Sequence, residues 1–171
     1  MADDRTIASV GASLERLLSA RLLDDPAPVA GARTVVTLAR TEDVRGAGRL
    51  TPPCLSLFLY RIGHDTALPA LDLHYLLTAW ADDAADEQRI LGRAMQCLET
   101  TPVLTAALLT ADGAWSEDER VPIVFEDLPT EVILRIFEAV GVSYRLSVAY
   151  RARVVRAETS RGRFWSEAGR R

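Results

Sequence analysis

Residues 144–154 read Tyr144-Arg145-Leu146-Ser147-Val148-Ala149-Tyr150-Arg151-Ala152-Arg153-Val154. Tyr144, Leu146, Val148, Tyr150, Ala152 and Val154 fall on one side. Arg145, Ser147, Ala149, Arg151 and Arg153 fall on the other. A period of two is that of a pleated strand. One face is expected to pack on a core, and the other to carry arginine.

Such a strand needs partners, and the upstream sequence supplies them. Leu71–Trp80 alternates in the same way, with Leu71, Leu73, Tyr75 and Leu77 opposite Asp72, His74, Leu76 and Thr78. Cys54–Tyr60 is short and almost wholly apolar, which reads as a central strand buried on both faces. The connection 61–69 is brief enough to make these two antiparallel neighbours. Arg33–Ala39 is rich in β-branched residues and Val121–Phe125 is a short apolar run, giving two further strands.

Helical spacing fills the rest. Ile7, Val10, Leu14, Leu17 and Leu18 share one face of an N-terminal helix, stopped by Asp24-Asp25-Pro26-Ala27-Pro28. Asp82, Asp83, Asp86 and Glu87 open another, where acidic residues favour the positive end of the helix dipole. Ile90, Leu91, Ala94, Met95 and Leu98 form its buried stripe. Thr101-Pro102 predicts a short further helix with Val103, Leu104, Ala107 and Leu108 inward. Pro129 begins the last, with Val132, Ile133, Ile136, Phe137 and Val140 inward and Gly141 as its left-handed stop. Thr41–Pro53 reads as a long loop; its Gly46-Ala47-Gly48 lacks the third glycine and the Lys-Ser/Thr of a phosphate loop.

The order α-β-β-β-α-α-β-α-β predicts a single α+β domain. Its sheet is mixed, mostly antiparallel and of about four to five strands, with helices mainly on one face. A length of 171 residues suits one domain with a substantial core. Residues 1–156 are assigned to that domain and 157–171 to a basic C-terminal tail. Hydrophobic residues make up 49% and charged residues 26%, the proportions of a soluble globular chain. No window approaches a membrane span or a secretory leader, so a cytoplasmic chain with reduced thiols is expected. Cys54 and Cys97 then read as small apolar core residues.

Catalytic chemistry finds little support. His74 lies two residues from Asp72 on one strand face, a spacing that a His–carboxylate pair could use, though a structural pair fits as well. Gly-x-Ser-x-Gly, His-Glu-x-x-His and Cys-x-x-Cys spacings are missing from the sequence. No catalytic, cofactor-binding or metal-ligating residue is therefore assigned, and no cofactor is expected.

The charge distribution says more. All 20 basic residues are arginine, and the net charge is −4. Residues 151–171 hold seven arginines against two glutamates, +5, while the preceding 150 residues carry −9. Beyond Ala157 the only large apolar residues are Phe164 and Trp165. That composition predicts a segment that orders against a partner. Aromatics beside arginines are common anchors at protein interfaces, so Arg151, Arg153, Arg156, Arg161, Arg163, Phe164 and Trp165 are the expected subunit or partner contacts. Nucleic-acid binding through the same arginines is the alternative, disfavoured by the acidic body. A +5 tail on a −9 body also suits docking on a second copy, closing a head-to-tail ring.

Several segments together resemble a known family. They are Leu55-Ser-Leu-Phe-Leu-Tyr60, Leu71-Asp-Leu-His-Tyr-Leu-Leu-Thr-Ala-Trp80, Glu87-Gln-Arg-Ile-Leu-Gly-Arg-Ala-Met95, Thr101-Pro-Val-Leu104 and Gly141-Val-Ser-Tyr-Arg-Leu-Ser-Val-Ala-Tyr150. Their order and spacing resemble the N-terminal domain of the tail-terminator, or cap, proteins of extracellular contractile injection systems. Among these phage-tail-like particles are the Photorhabdus virulence cassettes and antifeeding prophages. The resemblance covers roughly residues 5–156. It implies an α+β fold like that of phage tail terminators, and a structural rather than enzymatic role. It further implies a homo-hexameric ring on the distal end of the particle, ending growth of the inner tube and holding the last sheath ring. Neither nucleic acid nor membrane is among the implied partners. Some relatives carry a further C-terminal domain.

Overall fold

The computed structural model describes residues 4–23, 33–46, 50–65 and 70–155. The elements in chain order are α1 (Asp4–Leu23), β1 (Val35–Ala39), α2 (Thr41–Val44), β2 (Cys54–Asp65), β3 (Ala70–Trp80), α3 (Ala84–Thr100), β4 (Val103–Thr105), β5 (Arg120–Glu126), α4 (Thr130–Val140) and β6 (Ser147–Val155). The strands form one sheet in the order β1-β2-β3-β6-β5-β4. Only the β1–β2 pair is parallel; every other pair is antiparallel.

Both faces of this sheet carry a core. On the first, Val10, Leu14 and Leu18 of α1 and Ile90, Ala94 and Leu98 of α3 pack on Leu55 and Leu57 of β2, Leu73, Tyr75 and Leu77 of β3, and Tyr150 and Ala152 of β6. On the second, Ile133, Phe137 and Val140 of α4 and Val44 of α2 pack on Leu76 and Ala149, with Phe58 and Tyr60 alongside. The alternation expected for β3 and β6 is thus realised, with the two long helices on one face and α4 on the other. Each large side chain buried here contributes ~1.5–3 kcal/mol relative to its exposed state. Cys54 and Cys97 are both buried and free, and burial pushes the Cys54 thiol up to about 11.

The ends of the helices follow the expected chemistry. Asp83 caps α3, its Oδ1 accepting the Asp86 N–H at 2.9 Å. Asp86 in turn meets Arg89 at 2.8 Å. Gly141 ends α4 at φ 80°, where a left-handed backbone favours glycine. The Arg45 Nε also donates to the Val140 carbonyl at that end, 2.5 Å away.

Four expectations are corrected. The sheet has six strands, because Val103–Thr105 forms β4 where a short helix was expected from Thr101-Pro102. Leu104 is fully buried in the first core, and the Pro102 carbonyl accepts the Ile123 N–H at 2.7 Å. Burial and edge pairing therefore override the local helical spacing. The loop expected over Thr41–Pro53 contains α2, whose Asp43 is buried and accepts the Arg40 backbone N–H at 2.9 Å. β2 runs on to Asp65, through most of the segment read as a connection. β6 starts at Ser147, leaving Tyr144–Leu146 in the preceding turn.

Two polar ties hold the edges. Ser9 and Ser13 of α1 bind the loop after β4: Ser13 Oγ accepts the Thr110 N–H at 2.9 Å, and Ser9 Oγ accepts the Trp115 Nε1–H at 2.8 Å. A Cβ at Gly113 would collide with the Trp115 indole and lie 2.7 Å from Ser9 Oγ, which explains the glycine there. On the opposite edge, Glu15 Oε1 of α1 accepts the backbone N–H of Leu38 in β1 at 3.0 Å. Removing the buried Ser9 hydroxyl takes away the acceptor of the half-buried Trp115 indole N–H and its bonds to Thr110. We expect Ser9→Ala to lower unfolding free energy by about 1–3 kcal/mol in urea denaturation, and an unchanged midpoint would contradict this account.

Candidate functional site

The second face of the sheet is covered by α4 over only part of its length. Beyond Leu76 and Ala149 the strands carry polar side chains. The register aligns them in rows: Arg61, His74, Arg151 and Val124 lie opposite one another across β2, β3, β6 and β5, and Gly63, Asp72 and Arg153 form the next row outward. The result is a charged band across four strands at one end of the sheet.

A β-bulge brings Arg61 into the band. Leu59 opposes Tyr75, but Arg61 opposes His74, so Tyr60 is the extra residue. In a continuous register Arg61 would oppose Leu73, on the face packed by α1 and α3. Tyr60 lies beside the second core, its hydroxyl donating to Glu126 Oε2 at 3.4 Å. Burial, with the Glu126 carboxylate second, pushes its phenol up to about 12.

His74 is 7% exposed, and its Nδ1 lies 2.8 Å from Glu126 Oε2. Its partner is therefore Glu126 of β5, and the pairing with Asp72 considered from spacing is not formed. Asp72 sits between arginines instead: Arg151 Nε is 4.0 Å from its Oδ1 and Arg153 NH1 4.0 Å from its Oδ2. Side-chain exposure is 34% for Arg151 and 31% for Arg153, so both side chains are half-buried. Asp72 Oδ1 and Arg151 Nε are buried without a hydrogen bond. The surface is thus polar and cationic on balance.

Of the expected interface residues, Arg151 and Arg153 stand side by side in this band. Arg156, Arg161, Arg163, Phe164 and Trp165 lie outside the described residues. Arg145, on the same side of the alternation, is otherwise engaged: it meets Glu87 of α3 at 2.9 Å and its guanidinium lies 4.7 Å over the Trp80 ring. His64, in β2, is exposed. Sequence reasoning missed Arg61 and Glu126, which enter the band through the bulge and through the β5–β6 register. Among the described residues no helix is long and apolar enough to cross a membrane.

This two-sided α+β fold is similar to that of tail terminators. The chain belongs to the Pvc16 N-terminal domain family, whose model matches residues 9–163. Its fold is similar to that of the sheath/tube terminator of the extracellular contractile injection system PVC in the extended state. That likeness has a TM-score of 0.58 and 18% identity, over 87% of this chain and 55% of that one. It is likewise similar to the tube-terminating cap of the anti-feeding prophage, with a TM-score of 0.52 and 16% identity, over 90% of this chain and 56% of that one. The chain therefore spans little more than half the length of the solved caps it resembles. No curated protein matches it.

The two acids of the band are set apart by their partners. Glu126→Ala leaves the buried His74 Nδ1 unpaired, and we expect it to cost about 1–3 kcal/mol in urea unfolding. Asp72→Ala removes only 4.0 Å contacts to half-exposed arginines, and should cost no more than about 1 kcal/mol. The reverse ranking would refute this division of roles.

Proposed function

We propose that this chain is a structural cap of a contractile, phage-tail-like injection particle, acting in assembly rather than catalysis. In this reading it forms a homo-oligomeric ring, a hexamer by family resemblance, on the end of the inner tube and sheath. There it stops tube growth and anchors the last sheath ring. The carrying observation is membership of the Pvc16 N-terminal domain family over residues 9–163, supported by likeness in fold to two solved caps.

The physical requirements of a cap agree with the molecule. A terminator must present one surface to the end of a polymer and bind its own neighbours strongly enough to close. A rigid sheet buried on both faces holds its open end in a fixed geometry. Half-buried charges there confer register and partner choice more than raw affinity. Arg151 and Arg153 are the described members of the subunit or sheath interface, and Arg156, Arg161, Arg163, Phe164 and Trp165 extend it along the tail.

Deleting the gene in a strain that makes the particle tests the reading. Electron microscopy should then show tubes and sheaths of irregular length or collapsed sheaths, restored by the wild-type chain. Particles of unchanged length and stability would overturn it.

A further inference from the structure

The outer edge of β5 changes character along its length. β4 pairs with Arg120–Pro122, and the last bond between the two segments is Ile123 N–H to the Pro102 carbonyl. Val124, Phe125 and Glu126 pair with β6 alone among the described strands. In an antiparallel ladder alternate residues turn their backbone groups to alternate sides, so the N–H of Phe125 points outward like that of Ile123. The side chains there are apolar and open: Val124 is 44% and Phe125 47% exposed, on opposite faces. The Phe125 ring rests edge-on against Tyr150, 5.6 Å between centroids. Exposed apolar edge strands invite strand addition, and folded proteins commonly blunt them with charge or proline.

We propose that this edge receives residues 156–171 of a neighbouring copy, which add as an extended segment along Val124–Glu126. The inference rests on the reading of the chain as a ring-forming subunit. Three observations select the occupant. The tail carries five arginines against two glutamates, +3, whereas the exposed Asp127 directly follows the edge and the exposed Glu99 acts electrostatically on Tyr150, the partner of Phe125. The tail's one aromatic pair, Phe164-Trp165, matches the one exposed aromatic of the edge, and aromatic cross-strand pairs are stabilising. Gly162, within Arg161-Gly162-Arg163, allows close backbone approach.

Geometry favours a neighbour over the same chain. Ile123 opposes Ala152 while Glu126 opposes Ala149, so β6 ends beside the start of β5. There the outer side of β5 is already occupied by β4. A chain's own tail must double back around β4 to reach Phe125, whereas a neighbour's tail approaches the free half directly. Repeated around a ring, this is a heterologous contact that closes.

The test uses the full chain with a photo-reactive benzoylphenylalanine in place of Trp165, mixed with an isotopically heavy copy so that cross-links between copies are distinguished by mass. Cross-links from position 165 to the peptide containing Val124–Leu128 of the other copy are expected. Phe164→Ala/Trp165→Ala and Phe125→Ser are both checked for folding by circular dichroism. Each should weaken self-association at least about tenfold. Cross-links to the same peptide within one copy, or rings that form with the tail bound elsewhere, would overturn the assignment and leave the capping reading standing. A chain that stays monomeric both alone and on particles would overturn both.

Discussion

The structure depends on β3 being buried on both faces. Its neighbours β2 and β6 cover its two edges, α1 and α3 cover one face, and α4 covers the other as far as Leu76. Seven consecutive residues, Leu73–Ala79, are buried. A strand so enclosed has no tolerance for a register slip, because moving by one residue would exchange its two faces. Tyr75 shows the consequence: the ring lies within the first core, and burial raises its phenol well above the usual tyrosine range. The polar residues of β3 are confined to the part that α4 leaves open, or are answered locally, as Thr78 is by the Ser147 hydroxyl at 2.8 Å.

Much of this was legible from alternation. The odd–even split of residues 71–80 and 144–154 assigns Leu73, Tyr75, Leu77, Tyr150, Ala152 and Val154 to one face, and these residues form the first core. The acids before Ala84 read as a helix cap and are one. Illegible features arise where tertiary pairing outweighs local pattern. Val103–Thr105 carries a helical spacing, yet three residues are enough to join an edge when Leu104 has a core to enter. The extra residue at Tyr60 leaves no mark in composition; only the opposing strand reveals that parity changes there.

The charged band was legible by half. Arg151, Arg153, Asp72 and His74 can be placed on like-facing positions of two strands from their spacing alone. What spacing cannot supply is adjacency. Whether Asp72 serves His74 or the arginines is decided by the strand that lies beside β3, and that strand is β6, distant in sequence. Its register sets Arg153 opposite Asp72 and Arg151 opposite His74. Glu126 then reaches His74 from β5, one strand further out. The electrostatics follow from topology rather than from motif.

The two edges of the sheet are unequal. At β1 the outward N–H of Leu38 is already bound by a carboxylate from α1, while at β5 no described strand pairs with the outer side beyond Ile123. An object with one stoppered side and one receptive side has a direction. In the proposed ring, that direction is what lets every subunit make the same contact with the next and stand in the same orientation over whatever lies beneath.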